Sequence, residues 1–159
     1  MRIAVISDTH GNLLWIDKVR AMLDSVDCII HLGDNVQDAK KIEEAVKCPV
    51  HYVAGNCDIL SSAPHEFDGY IGGVKFFAVH GHRYSIDYDL YTLSAEARSR
   101  DAKICLYGHT HVPDITNCYG IWFVNPGSIS RPRGMSKKSY SVISIDRKGN
   151  IIPDIITLD

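Results

Sequence analysis

Two histidines, His109 and His111, stand two residues apart in "YGHTHVP", directly after the apolar run "KICLY". The same spacing joins Asp8 to His10 in "SDTHG", again after an apolar run, "IAVI". Imidazole nitrogen with carboxylate oxygen suits borderline divalent cations such as Mn2+, Fe2+, Ni2+ or Zn2+, and no thiolate is needed. An extended backbone would turn both members of each pair to one side. Further donors follow other apolar runs: Asp34 in "LGDN", Asn56 in "AGNCD" and His80 in "HGH". Alone, a Gly-Asp or Gly-Asn dipeptide reads as a turn. In this order, each behind a strand-like run, the seven residues form a candidate ligand set. One ion takes roughly four to six ligands, so the set suits two ions sharing a carboxylate. Two ions about 3.5–4 Å apart can activate a bridging hydroxide and clamp a phosphoryl group.

These residues need elements to hold them. "IAVIS", "CIIHLGD" and "VHYVAG" read as strands. Between them, "NLLWIDKVRAMLDS" carries Ile16, Val19 and Leu23 at helical spacing with Asn12 as cap, and "VQDAKKIEEAVKC" carries Ala39, Ile42 and Val46 on one face, ended by Pro49. Strand–helix alternation is the pattern of a parallel sheet with right-handed crossovers. Beyond Gly55, "EFDGYIGGVKFFAVHG" reads as a hairpin turning at Gly72-Gly73. "DYDLYTLSAEARSRD" reads as a helix with Leu90, Leu93 and Ala97 inward, and "KICLYG" as a strand. Two further hairpins turn near Tyr119-Gly120 and near Lys148-Gly149-Asn150. The expected product is an α/β fold of two packed sheets with helices outside, parallel in its first half and mixed in its second. The candidate ligands then all lie at carboxyl ends of strands, the edge where open α/β sheets bind ligands.

At 159 residues the chain suits one domain, 1–159, with one sizeable core. A net charge of -2 gives no long-range pull toward nucleic acid or anionic lipid. Apolar runs such as "VKFFAV" are too short to span a bilayer, and the N-terminus has no secretory pattern, so a cytoplasmic location is expected. Five cysteines without a CxxC argue against a disulfide framework. Cys28 and Cys105 read as buried thiols, and Trp15 and Trp122 as core residues rather than interface.

Taken together, "SDTHG", "GDN", "GNCD", "HGH" and "GHTH" resemble the calcineurin-like metallophosphoesterase superfamily. The short length and "NPGS" at Asn125–Ser128 resemble its small bacterial and archaeal phosphodiesterases of the YfcE type. The resemblance covers essentially the whole chain. It implies a four-layer α/β/β/α sandwich and a divalent-metal-dependent phosphodiesterase acting on a small phosphodiester. It also implies two ions, manganese first, with nickel, iron or zinc as alternatives. Asp8, His10 and His111 would hold the first ion, Asn56, His80 and His109 the second, and Asp34 would bridge them. Asp34, Asn56 and His80 would carry the catalysis. The relatives imply a homodimer or homotetramer. Phosphomonoester hydrolysis on the same fold is the nearest alternative. Another is a non-catalytic scaffold like the superfamily's retromer subunit, whose pattern lacks histidines that this chain keeps.

One departure stands out. Many members carry histidine where this chain has Cys57, and a thiol with an ordinary pKa near ~8.5 is a weak proton donor in its place. Cys57 then either favours substrates with good leaving groups, leaves the acid to another group such as His82, or simply packs. Asp58 is expected to orient a neighbouring loop or ligand. Arg131, in "NPGSISRPRG", is either surface charge or a bidentate partner for substrate phosphate. His31 reads as a packed residue inside its strand.

Overall fold

The computed structural model describes residues 1–12 and 14–158, without the side chains of residues 16 and 17. The first part of the chain alternates β1 (Arg2–Ile6), α1 (Ile16–Leu23), β2 (Cys28–His31), α2 (Val36–Ala45) and β3 (Val50–Tyr52). The rest contributes β4 (Glu66–Ile71), β5 (Val74–Val79), α3 (Tyr91–Ser99), β6 (Ile104–Leu106), β7 (Pro113–Cys118), β8 (Ile121–Pro126), β9 (Ser139–Ile145) and β10 (Ile151–Thr157). The three expected hairpins are β4–β5, β7–β8 and β9–β10.

Two mixed five-stranded sheets form, in the orders β10-β9-β1-β2-β3 and β4-β5-β6-β8-β7. The parallel trio β1-β2-β3 is completed by the C-terminal hairpin, because β9 runs antiparallel along β1. Strand periodicity explains why several strands are apolar throughout. In β1, Ile3 and Val5 face the second sheet, while Ala4 and Ile6 face the helices. In β5, Phe76 and Ala78 face the first sheet, while Phe77 and Val79 face the α3 side. Three apolar clusters therefore separate four layers. One fills the space between the sheets, one lies under α1 and α2, and one lies under α3. The chain is an α/β/β/α sandwich.

α1 buries Val19 and Leu23; the side chain of Ile16, the third position expected on that face, lies outside the described residues. Asn12 is not the cap of α1. Its Oδ1 instead accepts the Leu14 N–H at 3.1 Å, closing a tight turn, and α1 starts behind Trp15 without a side-chain cap. α2 buries Ala39 and Ile42 and ends at Ala45, four residues before Pro49, so Val46 is already extended. Leu93 and Ala97 of α3 are buried, and Leu90 packs partly against the same cluster. Trp15 is buried and Trp122 packs against the inter-sheet core, whereas Tyr119 is exposed beneath the Arg98 guanidinium. Cys28 and Cys105 are buried free thiols.

Candidate metal centre

Parallel registers bring the strand ends level: Ile6 lies beside His31, and Ala78 beside Leu106. All seven candidate ligands therefore follow strands at one edge of the sandwich. The loops are stitched to each other by backbone bonds, Asp8 N–H to the Gly33 carbonyl at 3.1 Å and His10 N–H to the Asp34 carbonyl at 3.0 Å. The Gly108 N–H donates likewise to the His80 carbonyl at 2.8 Å. Gly33 and Gly55 permit this contact: a Cβ on Gly33, at φ +95°, would lie 2.5 Å from the Gly55 nitrogen.

The expected extended backbone at the paired donors does not occur. Asp8, His10, Asp34, His109 and His111 have φ of 56°, 48°, 53°, 65° and 60°. These are left-handed turns in non-glycine residues, each unfavourable by about 1–3 kcal/mol. The reason lies in the stitching, since each loop must reverse at once off its strand to reach the next loop's carbonyls. Side chains separated by two residues converge through this turn rather than through a pleat.

Convergence produces two groups of electron pairs. Asp8, His10, Asp34 and His111 each offer an atom within 4.8 Å of the others. A neutral imidazole has one N–H, and His111 commits it from Nδ1 to the Arg131 carbonyl. Its Nε2 lone pair then faces Asp8 Oδ1 at 3.1 Å and His10 Nε2 at 3.3 Å. Asp8 Oδ1 is buried with no hydrogen-bond partner. In the second group, His80 Nδ1 donates to the Leu32 carbonyl at 2.7 Å and His109 Nε2 donates to Asp87 Oδ2 at 3.1 Å. The remaining ring nitrogens each lie 3.0 Å from Asn56 Oδ1, so three acceptors meet with no proton between them. Asp34 stands between the groups, with Oδ2 3.8 Å from His10 Nε2 and Oδ1 3.5 Å from His80 Nε2. Lone pairs pointing at lone pairs, fixed by hydrogen bonds on the outer ring nitrogens, are the arrangement that divalent cations satisfy. The residues fit such ions.

With no ion between them, Asp8 and His111 lean toward holding a proton in its place. Burial would raise the Asp8 pKa, but His111, His80 and the Ser7 hydroxyl together hold it below the usual carboxylate range. Burial holds His10 low despite Asp34 and Asp8. For His111 burial also pulls downward, and the Asp8 carboxylate overcomes it.

Support comes from residues that local sequence reading partly missed. Asp58 accepts three backbone amides: Asp34 N–H at 3.0 Å and Gly55 N–H at 2.9 Å on Oδ2, and Val36 N–H at 2.8 Å on Oδ1. It orients the loops as expected, and it fixes the start of α2 as well. Asp58→Ala is expected to destabilise the fold by about 2 kcal/mol, because three amides lose a charged acceptor. Urea unfolding of the chelated protein measures this. In "NPGS", Asn125 Nδ2 donates to the Gly108 carbonyl at 2.9 Å, and the hydroxyls of Ser128 and, two residues beyond the motif, Ser130 each donate to the Asp8 carbonyl at 2.9 Å. The motif locks the Asp8 turn to the His109 turn. Asp38, buried on α2, accepts the Gly11 N–H at 2.8 Å. Asp87 had no sequence signal beyond its charge.

His31 is fully buried, accepts the Gly33 N–H on Nδ1 at 3.2 Å, and lies 3.2 Å from Thr9 Oγ1 through Nε2. Burial depresses its pKa to about 4. The unfolded chain takes up a proton near ~6.5 that the folded chain refuses until about pH 4. Stability from this group is therefore complete above ~6.5 and falls as pH drops through that window, by about 2 kcal/mol between pH 7 and pH 5. Urea midpoints of wild type and His31→Asn at the two pH values test this, and the variant is expected to lose less on acidification.

His82 packs its ring 5.4 Å from that of His80 and 6.2 Å from that of His109, with Nδ1 buried and unpartnered. Burial and the neighbouring His80 push its pKa down to about 4, so at neutral pH it holds no extra proton. Cys57 Sγ donates to Asp34 Oδ2 at 3.2 Å, and its backbone N–H donates to Asp34 Oδ1 at 2.9 Å. Burial first, and then Asp34, push this thiol up to about 11, which makes it a neutral hydrogen-bond donor. A cavity of ≈ 710 Å³ opens over His10, Asp34 and Cys57, with Arg131 on its wall.

Comparison with known proteins fits this geometry. Residues 1–148 match the calcineurin-like phosphoesterase superfamily domain. The chain belongs to that superfamily. A crystal structure of a predicted phosphoesterase from Streptococcus pneumoniae is 34% identical, covers 98% of this chain and 88% of its own, and superimposes with a TM-score of 0.84. The phosphodiesterase YfcE of Escherichia coli is 25% identical across 92% of this chain and 89% of its own. Vps29 of Entamoeba histolytica, solved with Zn2+, covers 99% of both chains with a TM-score of 0.78 and 21% identity, a likeness of fold. Metallophosphoesterases of this superfamily use metal ions, and the Asp8, His10, Asp34 and His111 group suits one. Among the described residues, no helix is long and apolar enough to cross a membrane.

Proposed function

We propose that the chain is a single-domain, divalent-metal-dependent phosphodiesterase over residues 1–159, working in the cytoplasm on a small phosphodiester. The observation that carries this is the pair of donor groups joined through the two oxygens of Asp34. In this reading Asp8, His10 and His111 hold one ion, Asn56, His80 and His109 hold the other, and Asp34 bridges, with manganese favoured. When bound, two such ions supply a water deprotonated at neutral pH and a counter-charge for phosphoryl oxygens.

The protein's own residues do the rest. His80 and His109 donate their ring N–H groups outward, to the Leu32 carbonyl and to Asp87, and so turn their other ring nitrogens toward Asn56. Asn56 presents Oδ1 inward, while its Nδ2 is turned to Cys57 Sγ at 3.6 Å. Arg131, on the cavity wall, suits a phosphoryl oxygen by paired N–H donation. Cys57, a neutral donor to Asp34, holds the bridging carboxylate in place. Water and the diester yield a monoester and an alcohol. YfcE, a named phosphodiesterase similar over most of both chains, supports the diester over the monoester.

The ion count tests the paired site. After chelation, titration with Mn2+ under calorimetry and elemental analysis should give two ions per chain. One ion per chain at saturation would overturn the pair. Light scattering of the same sample tests the expected homodimer or homotetramer.

A further inference from the structure

The cavity continues past His10 and Asp34 onto a wall that the proposed hydrolysis does not use. Asp58 to Ser61 forms a tight turn, closed by the Ser61 N–H on the Asp58 carbonyl at 3.0 Å. The same Asp58 is pinned by three amides, so the turn is held firmly. Its middle positions are Ile59 and Leu60, 86% and 100% exposed. Such positions ordinarily carry Gly, Pro, Asn, Asp or Ser, and two branched apolar side chains there bury nothing of the fold. Both line the cavity, together with Val36 at the start of α2. Asn35, Gln37 and Arg131 supply polar groups to the same space. At ≈ 710 Å³ it is far larger than a phosphate group needs and lies in the range of sites for whole organic ligands.

We infer that this wall is a subsite for the organic arm of the substrate, and that the arm is a nucleoside. The inference rests on the phosphodiesterase reading above. Asn35 Oδ1 caps α2 by accepting the Gln37 backbone N–H at 3.1 Å, which leaves its Nδ2 and the Gln37 side-chain amide for a ligand, and a plain alkyl arm would cover Ile59 and Leu60 without using either. A second phosphate would find no lysine or arginine in the lining beyond Arg131, which the reacting phosphate takes, and would leave the apolar wall bare. A nucleoside uses both, with a flat ring against Ile59 and Leu60 and a hydrogen-bonding edge for the amides. Ile59 and Leu60 thereby set specificity from outside the ligand set.

The test holds the chemistry constant and varies only the arm. Three esters share p-nitrophenolate as leaving group: the thymidine 5′-phosphate, butyl phosphate and methyl phosphate esters. With Mn2+ present, kcat/KM for the thymidyl ester should exceed that for the methyl ester by roughly tenfold or more, with the butyl ester between. In Ile59→Ser/Leu60→Ser the thymidyl-to-methyl ratio should fall toward one. Calorimetric binding of thymidine 5′-phosphate, compared with methyl phosphate, should weaken in parallel. A ratio near one in the wild type, or one unmoved by the double substitution, overturns the subsite. A butyl ester turned over as well as the thymidyl ester overturns the nucleoside. Turnover of any of the three esters leaves the hydrolase reading standing. Absence of turnover of all three with every cation tried removes both.

Discussion

Asp34→Asn is expected to lower metal-dependent phosphodiester hydrolysis by roughly a thousandfold or more. The substitution keeps shape and one carbonyl oxygen. That oxygen can still accept the Cys57 N–H, which now reaches Oδ1 at 2.9 Å. It removes the negative charge that stands between the two donor groups, and it replaces an acceptor oxygen with an NH2 that points hydrogens at whatever those groups hold. Altered partners outside a metal site typically reduce affinity or activity 10–100-fold, as a rough scale, and a shared ligand should matter more. The measurement is kcat/KM with Mn2+ on a diester, alongside ion content after dialysis. The folded state of the variant is checked by circular dichroism and by melting after chelation. Activity close to wild type would show that Asp34 does not bridge.

Chelation is expected to lower the melting temperature by roughly 5–10 °C relative to protein saturated with Mn2+. Asp8 is entirely buried and Asp34 is 2% exposed, so two carboxylates share the floor of the cavity with lone pairs from His10, His80 and His111. Without a cation the acceptors of Asn56, His80 and His109 face one another unsatisfied, and the left-handed turns at Asp8, His10, Asp34, His109 and His111 add strain. An ion that binds only the folded chain stabilises it by ~2.7 kcal/mol at a hundredfold excess over its Kd. For a chain of this size each kcal/mol shifts melting by ~2–4 °C. Scanning calorimetry with and without chelator reads the shift directly. Asp34→Asn should lose most of it, and a melting temperature indifferent to chelator would contradict a cation-filled site.

Much of this centre was legible locally. β1 and β5 declare themselves because both of their faces are buried, which makes short apolar runs without alternation. The ligand types declare themselves because Asp8, His10, His80, His109 and His111 follow such runs directly. Other features depend on chain crossings that no periodicity reports. The pairing of β9 with β1 joins residues over a hundred positions apart in sequence. Ser128 and Ser130 reach the Asp8 carbonyl from a similar distance along the chain, so "NPGS" could be noticed but its role could not. Asp87, on the exposed loop after "HGH", matters only because His109 arrives beside it. The backbone at the Asp8 and His109 pairs departs from the extended form for the same reason. An i, i+2 pair at a strand end looks extended, yet the loops bond to each other and turn the chain left-handed.

The central claim is metal-dependent hydrolysis of a phosphodiester at this centre. Its most direct test is turnover of bis(p-nitrophenyl) phosphate and p-nitrophenyl phosphate by chelated protein, with Mn2+, Ni2+, Zn2+ or Mg2+ returned one at a time. The expected result is no activity after chelation, recovery with Mn2+, and a higher kcat/KM for the diester than for the monoester. No turnover with any ion, from protein shown to be folded, would contradict the claim and move the chain to the binding-scaffold reading.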